Sequence, residues 1–191
     1  MPQSVIIIRT SFLEIPEVGH LKSYFENAWK ALQSVPGYQA GGVWKDWEDS
    51  KKHLILYFYE SPEAAEEGLK VITKTRLLVE SQSLPQEPSE VMRIRVVEAK
   101  GILGDQPTSA QYLSFSMRIA DPGRACELKE DLSTVFAEST LLEGFCGHLI
   151  GVNDVLEEEV IGLAAWNSPE SYAASLPQGI LYTVRLYERL L

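Results

Sequence analysis

The residues of this chain best equipped for chemistry are three histidines, two cysteines and an arginine set in an apolar run. His148 stands in GFCGHLIG, between Gly147 and Leu149. Imidazole titrates near neutral pH, so a strand histidine reads either as a general acid/base or as a structural residue satisfied by its neighbours. His20 falls early in a helical pattern, and His53 follows Lys51-Lys52 where a hairpin returns into a strand. Cys146 lies two residues before His148, a spacing that puts both side chains on one face of a strand and makes a Cys–His pair conceivable. The other reading of Cys126 and Cys146 is two reduced thiols near a core, since they lack Cys-x-x-Cys spacing. No histidine occurs in His-Glu-x-x-His or another metal-ligand pattern, so no metal is expected. Arg9 follows VIII on a strand, and a buried guanidinium needs a carboxylate, from the protein or from a ligand. His148 and Arg9 are thus the catalytic candidates. Trp44, Trp47, Tyr57, Tyr59, Trp166, Tyr172 and Tyr182 lie on or near strands and helix starts. Aromatics so placed line a pocket for a flat apolar molecule, or simply fill a core. Gly-x-Ser-x-Gly, P-loop and dinucleotide fingerprints do not occur.

The elements that position these residues come twice. Ser61-Pro62-Glu63 and Ser168-Pro169-Glu170 are 107 residues apart, as are Gly37-Tyr38 and Gly144-Phe145, and Tyr59 and Trp166. The apolar helix positions Val18, Leu21, Phe25, Ala28 and Leu32 map at the same offset onto Ala125, Leu128, Leu132, Val135 and Ser139. The closing strands MRIRVVE and YTVRLYE, ending at Glu98 and Glu188, are only 90 apart, so the second half is shorter before its last strand. Each half predicts a strand (Val5–Phe12; Tyr112–Ile119) and an amphipathic helix, the second opened by Asp121-Pro122. A Gly-aromatic turn leads to a second strand (near Tyr38–Asp46; Phe145–Asn153), and a third follows (His53–Tyr59; Glu159–Trp166). A Ser-Pro-capped helix and a fourth strand (Val91–Glu98; Ile180–Glu188) close the half. This β-α-β-β-α-β order is the ferredoxin-like motif. VIII and HLILYFY lack alternation, which calls for burial on both faces. The fold expected is therefore α+β: two tandem ferredoxin-like repeats, 1–100 and 112–191, joined by the Gly- and Pro-containing linker 101–111. They pack sheet to sheet as a pseudo-dimeric barrel with helices outside.

Composition narrows the partners. Seventeen Lys and Arg against 27 Asp and Glu leave a net charge of −10, with Lys51-Lys52 the one adjacent basic pair. Such a surface repels phosphate backbones and anionic lipids, so neither nucleic acid nor membrane is an expected partner. No apolar run approaches the roughly 20 residues of a membrane helix, and MPQSVIIIRT lacks the pattern of a signal peptide. The expectation is a cytoplasmic protein.

Residues 31–68, ALQSVPGYQAGGVWKDWEDSKKHLILYFYESPEAAEEG, resemble the antibiotic-biosynthesis-monooxygenase-like proteins of the dimeric α+β-barrel superfamily. A helix ending in a Pro/Glu-Gly-aromatic turn, an acidic hairpin and a strand ending in Trp-x-Ser form the shared pattern. Residues 141–175 repeat it, with Trp166-Asn167-Ser168. The resemblance implies pockets between sheet and helices, in a family of cofactor-independent oxygenases, haem-degrading monooxygenases, small isomerases and proteins of unknown role. Haem degradation in this family needs an Asn on the first strand, a helix Trp and a following His. Those places hold Ser116 or Arg9, Ser175 or Gly68, and no histidine, so no haem and no other cofactor is expected. Aligned on that Asn, Ser116 faces the helices together with Tyr112, Ser114 and Arg118. The 107 offset adds Val5, Ile7, Arg9 and Ser11 to that face, leaving Ile6, Ile8, Leu113, Phe115 and Met117 for the barrel seam. The site implied is Trp44, Tyr57, Tyr59, Ser114, Ser116, Trp166 and Tyr182, binding a small apolar or aromatic molecule. The function expected is a monooxygenase-like reaction, with a non-catalytic binding role or a small isomerase or lyase as alternatives. Further pairing into homodimers is left open.

Overall fold

In a computed structural model the chain is an α+β protein built on a closed eight-stranded barrel, with residues 1–79, 87–176 and 184–191 described. The elements are β1 (Ser4–Ser11), α1 (Val18–Leu32), β2 (Tyr38–Asp46), β3 (Lys52–Tyr59), α2 (Pro62–Val79) and β4 (Glu90–Gly101). A short α3 (Ile102–Asp105) leads to β5 (Tyr112–Ile119), α4 (Ala125–Ser139), β6 (Phe145–Asn153), β7 (Glu159–Trp166), α5 (Pro169–Ser175) and β8 (Arg185–Arg189). Around the barrel the order is β1-β3-β2-β8-β5-β7-β6-β4, with every pair antiparallel. Two four-strand runs, β4-β1-β3-β2 and β8-β5-β7-β6, are therefore joined edge to edge, through β2–β8 and β4–β6. Closure leaves no strand edge unpaired, the exposed-edge hazard of open sheets.

The continuous apolar strands are explained by two buried surfaces. Val5, Ile7, Leu54, Leu56, Phe58, Leu113, Phe115, Leu149 and Leu163 fill the barrel interior. Ile6, Ile8, Ile55, Tyr57 and Tyr59 pack under α1 and α2, while Ile150, Val160, Ala164 and Trp166 pack with Leu132 and Phe136 of α4. Leu113, Phe115 and Met117 point inward as expected, but β1 is turned over relative to expectation. Val5 and Ile7 face the interior, and Ile6 and Ile8 face the helices. Ser4 stands opposite Tyr59 as Tyr112 stands opposite Trp166, so the first strands are related by 108 residues, not 107. One residue of slip exchanges the two faces of a strand.

The turns carry the clearest local signals. Gly37 (φ +82°) and Gly144 (φ +85°) adopt the left-handed conformation that glycine tolerates best, and each carbonyl accepts from the strand end beside it, Glu60 and Asn167 respectively. Ser61 and Ser168 cap α2 and α5, their hydroxyls accepting from the amides of Ala64 and Ser171 at 3.1 Å. The expected cap Asp121-Pro122 does not open α4. Gly123 at φ +79° makes a separate turn, and the helix starts at Ala125 behind Arg124, without a side-chain cap. His53 is buried, edge-on to Phe12 at 5.2 Å, and not a simple hairpin surface residue. The expected linker is also part of the core: α3 and the 3-10 turn Pro107–Ser109 bring Leu103 and Ala110 into the interior cluster. The Ala110 carbonyl accepts from Trp44 Nε1 at 2.9 Å, so this segment stoppers the barrel. Among the described residues no helix is long and apolar enough to cross a membrane.

Candidate active site

His148 lies on the helix side of β6, almost fully buried, and stacked on Phe136 of α4 at 4.8 Å between ring centres. Its Nε2 is 3.0 Å from Glu98 Oε1 on β4. The same carboxylate accepts from Ser133 of α4 at 2.8 Å and pairs with Lys100 at 2.5 Å. The Lys100 ammonium, with His148 and Ser133, holds Glu98 down at about 2, so it is ionised at neutral pH. An ionised carboxylate at Nε2 requires the proton there and leaves the Nδ1 lone pair free when the ring is neutral. Among the described residues Nδ1 has no partner, and it is buried, a cost of about 1–3 kcal/mol if nothing fills it. Around the imidazole stand Phe145 at 6.2 Å and, beyond it, Trp166 at 5.3 Å from Phe145. Trp166 Nε1 donates to Ser114 at 3.0 Å, and Ser116 donates to the Gly162 carbonyl at 3.3 Å. The expected helix-facing side of Ser114 and Ser116 is therefore the side on which this cluster forms.

Cys146 does not join His148. A register shift between Phe145 and Gly147 makes Cys146 the extra residue of a bulge, and the thiol packs against the barrel interior while His148 faces α4. Glu98 and Ser133 escaped sequence reading. The signal for Glu98 was present in the alignment of the two strand ends, where Glu188 takes the matching place and lies 3.9 Å from Lys45.

The first half lacks this arrangement because one cross-strand pair is inverted in size. Gly41 faces Tyr57 where His148 faces Ala164. A Cβ on Gly41 would lie 2.7 Å from the Tyr57 ring and 3.1 Å from Trp29 Nε1, so Tyr57 and Trp29 occupy the place that a larger residue at 41 would need. The cavity left near Tyr57, between β1, β3, α1 and α2, is about 30 Å³, room for about one water. Tyr59 is buried, its hydroxyl without a partner among the described residues and pressed against Gly68 of α2. Burial raises the hydroxyls of Tyr57 and Tyr59 and pushes Tyr38 up to about 12. Trp44 is an interior residue, remote in facing from Tyr57 and Tyr59. Arg9 also points inward, contrary to the parity expected. It pairs with Glu90 at 2.7 Å and lies over the Phe115 ring at 5.4 Å. Tyr182 lies outside the described residues. The structure thus groups His148, Ser114, Ser116 and Trp166, and separates from them Arg9, Trp44, Tyr57 and Tyr59. Among the described residues no cluster of His, Cys, Asp and Glu has the makings of a metal site.

No protein-family model matches the chain, and no curated protein matches its sequence. Solved structures do match. A candidate monooxygenase of Fusobacterium nucleatum aligns with a TM-score of 0.71 at 13% identity, over 100% of this chain and 94% of that one. An anthrone oxidase-like protein aligns at 0.69 and 17% identity, over 98% and 91%. The chain shares the α+β-barrel fold of these two proteins. A major regulator of staphylococcal pathogenesis shares it at 0.56 and 10% identity, over 95% of this chain and 98% of that one. At such identities the likeness is one of fold, and roles differ among proteins so related.

Proposed function

We propose that this chain is an enzyme of the cofactor-independent oxygenase kind, acting on a small apolar or aromatic molecule between β6, β7 and α4. The observation that carries this reading is the buried His148, fixed by ionised Glu98 at Nε2 and, among the described residues, without a partner at Nδ1 beside an aromatic cluster. In that role Nδ1 removes a proton from an acidic C–H or phenolic O–H of the substrate. The resulting carbanion or phenolate gives its electrons to dioxygen. For a methylene substrate one oxygen becomes the product carbonyl, and the other leaves as water with the two substrate hydrogens. Trp166 and Ser114 supply the aromatic wall and its polar tip. The first half, filled by Tyr57 and Trp29, is scaffold. The two β-α-β-β-α-β units, 1–100 and 112–191, are read as a fused duplication of one ancestral unit, in a cytoplasmic protein.

Anthrone is the probe, followed by oxygen uptake and by absorbance of the quinone product. Turnover that falls about 100-fold or more in His148→Asn, with the circular dichroism unchanged, is the expected result. Equal rates in wild type and His148→Asn would remove His148 from the mechanism. The small cavity of the first half and the Phe136 ring over His148 favour a second reading, a non-catalytic binding or interaction protein. Oxygen uptake separates the two: that reading predicts none with anthrone or related tricyclic phenols, and native mass spectrometry then tells an interaction protein, of bare mass, from a ligand-binding one.

A further inference from the structure

Arg9 and Arg185 stand at the end of the barrel opposite α3. The cavity there is about 210 Å³. Three cations line it, Arg9, Lys52 and Arg185, against two carboxylates, Glu87 and Glu90. Each cation already has a carboxylate, Glu90 for Arg9, Asp46 for Arg185 and Asp49 for Lys52, so the recess carries no net positive charge and what it offers an anion is the spare N–H donors of the two guanidiniums. The guanidiniums are held from behind. Arg185 donates to the buried Asp46 at 2.9 Å, and Arg9 donates to Glu90 at 2.7 Å and lies over Phe115. Among the described residues both bind their carboxylates through Nη1 alone, which leaves further N–H donors on each fork. Their side chains are 33% and 36% exposed, so those donors are reachable from solvent. Tyr187, only 3% exposed, forms the floor between them.

We propose that this end of the barrel binds a small monocarboxylate, its two oxygens taken by the Arg9 and Arg185 forks above Tyr187. A planar carboxylate matches a guanidinium edge in geometry. A single charge suits the recess better than the double charge of phosphate, because Glu87 and Glu90 stand at its rim. This site is on the inner face of the sheet, separate from His148 on the outer face, and does not depend on the oxygenase reading.

The test is a propionate titration read on the arginine Nε–H cross-peaks by NMR, with inorganic phosphate and sodium chloride as comparators. Propionate should shift the Arg9 and Arg185 signals together and saturably, with a dissociation constant on the order of millimolar. Arg185→Gln should weaken it about tenfold, and Tyr187→Phe, which preserves the interior packing, about fivefold. His148→Asn should leave it unchanged. Shifts that follow ionic strength alike for all three salts, tighter binding of phosphate, or full affinity in Tyr187→Phe together with Arg185→Gln would overturn the site.

Discussion

At the scale of single residues, Glu98 decides what His148 can do. Its carboxyl sits at about 2 in the folded chain against 4.5 ordinarily, first through Lys100 and then through His148 and Ser133. A lowered carboxylate stabilises the fold fully above its unfolded value, and that contribution is lost as pH falls through the folded one. Wild type should therefore lose stability between pH 4.5 and about 2, and Glu98→Gln should flatten that part of the acid limb in urea titrations. After discounting the exposed Lys100, the effect expected is about 1–2 kcal/mol. Ala164 is the second deciding residue, because it leaves room for His148 across the strand pair. Ala164→Tyr imports the residue of the first half without Gly41 to receive it. It should displace His148 from Glu98 at a cost of about 1–3 kcal/mol and abolish ligand capture in native mass spectra. An intact His148 signal and undiminished capture would show that the space lies elsewhere.

Elements are positioned by caps and bulges more than by propensity. α5 has only seven residues, Pro169–Ser175, too few to persist alone, so the Ser168 cap matters more than at a long helix. Ser168→Ala should cost about 1 kcal/mol in chemical denaturation, chiefly as local opening seen by hydrogen exchange in residues 169–175. The bulge at Cys146 relies on Gly147, at φ +149°, where a Cβ would lie 2.4 Å from the Lys100 carbonyl. Gly147→Ala should destabilise by about 1–3 kcal/mol and disturb the His148–Glu98 contact, because β4 and β6 meet there. A wild-type melting curve and wild-type His148 resonances in that variant would refute the role given to the bulge.

For the whole molecule, barrel closure makes the two halves one cooperative unit. The β4–β6 seam runs from Ile94 opposite Asn153 to Gly101 opposite Gly147, and the β2–β8 seam from Trp44 opposite Arg189 to Asp46 opposite Tyr187. Interior side chains of both halves share one core with Leu103 of the stopper. Calorimetry should show a single transition, and Leu103→Ala should lower stability by about 2–5 kcal/mol. Two resolved transitions would mean that the seams do not couple the halves.

The amino-acid sequence by itself determined the α+β class, the barrel and most strand spans, because apolar continuity, Gly turns and Ser-Pro caps are local signals. It also singled out His148, Ser114, Ser116 and Trp166. The faces of β1 and the Cys146–His148 relation were decided only in the tertiary structure. Each turned on one inserted residue, and a period of two converts a single slip into the opposite face. Glu98 and Ser133 come from β4 and α4 to His148 on β6, brought within hydrogen-bond reach only when the barrel closes. Likewise Arg9 carried a visible demand for a carboxylate, but that Glu90 meets it and that Arg185 stands with it at one end of the barrel follow from closure.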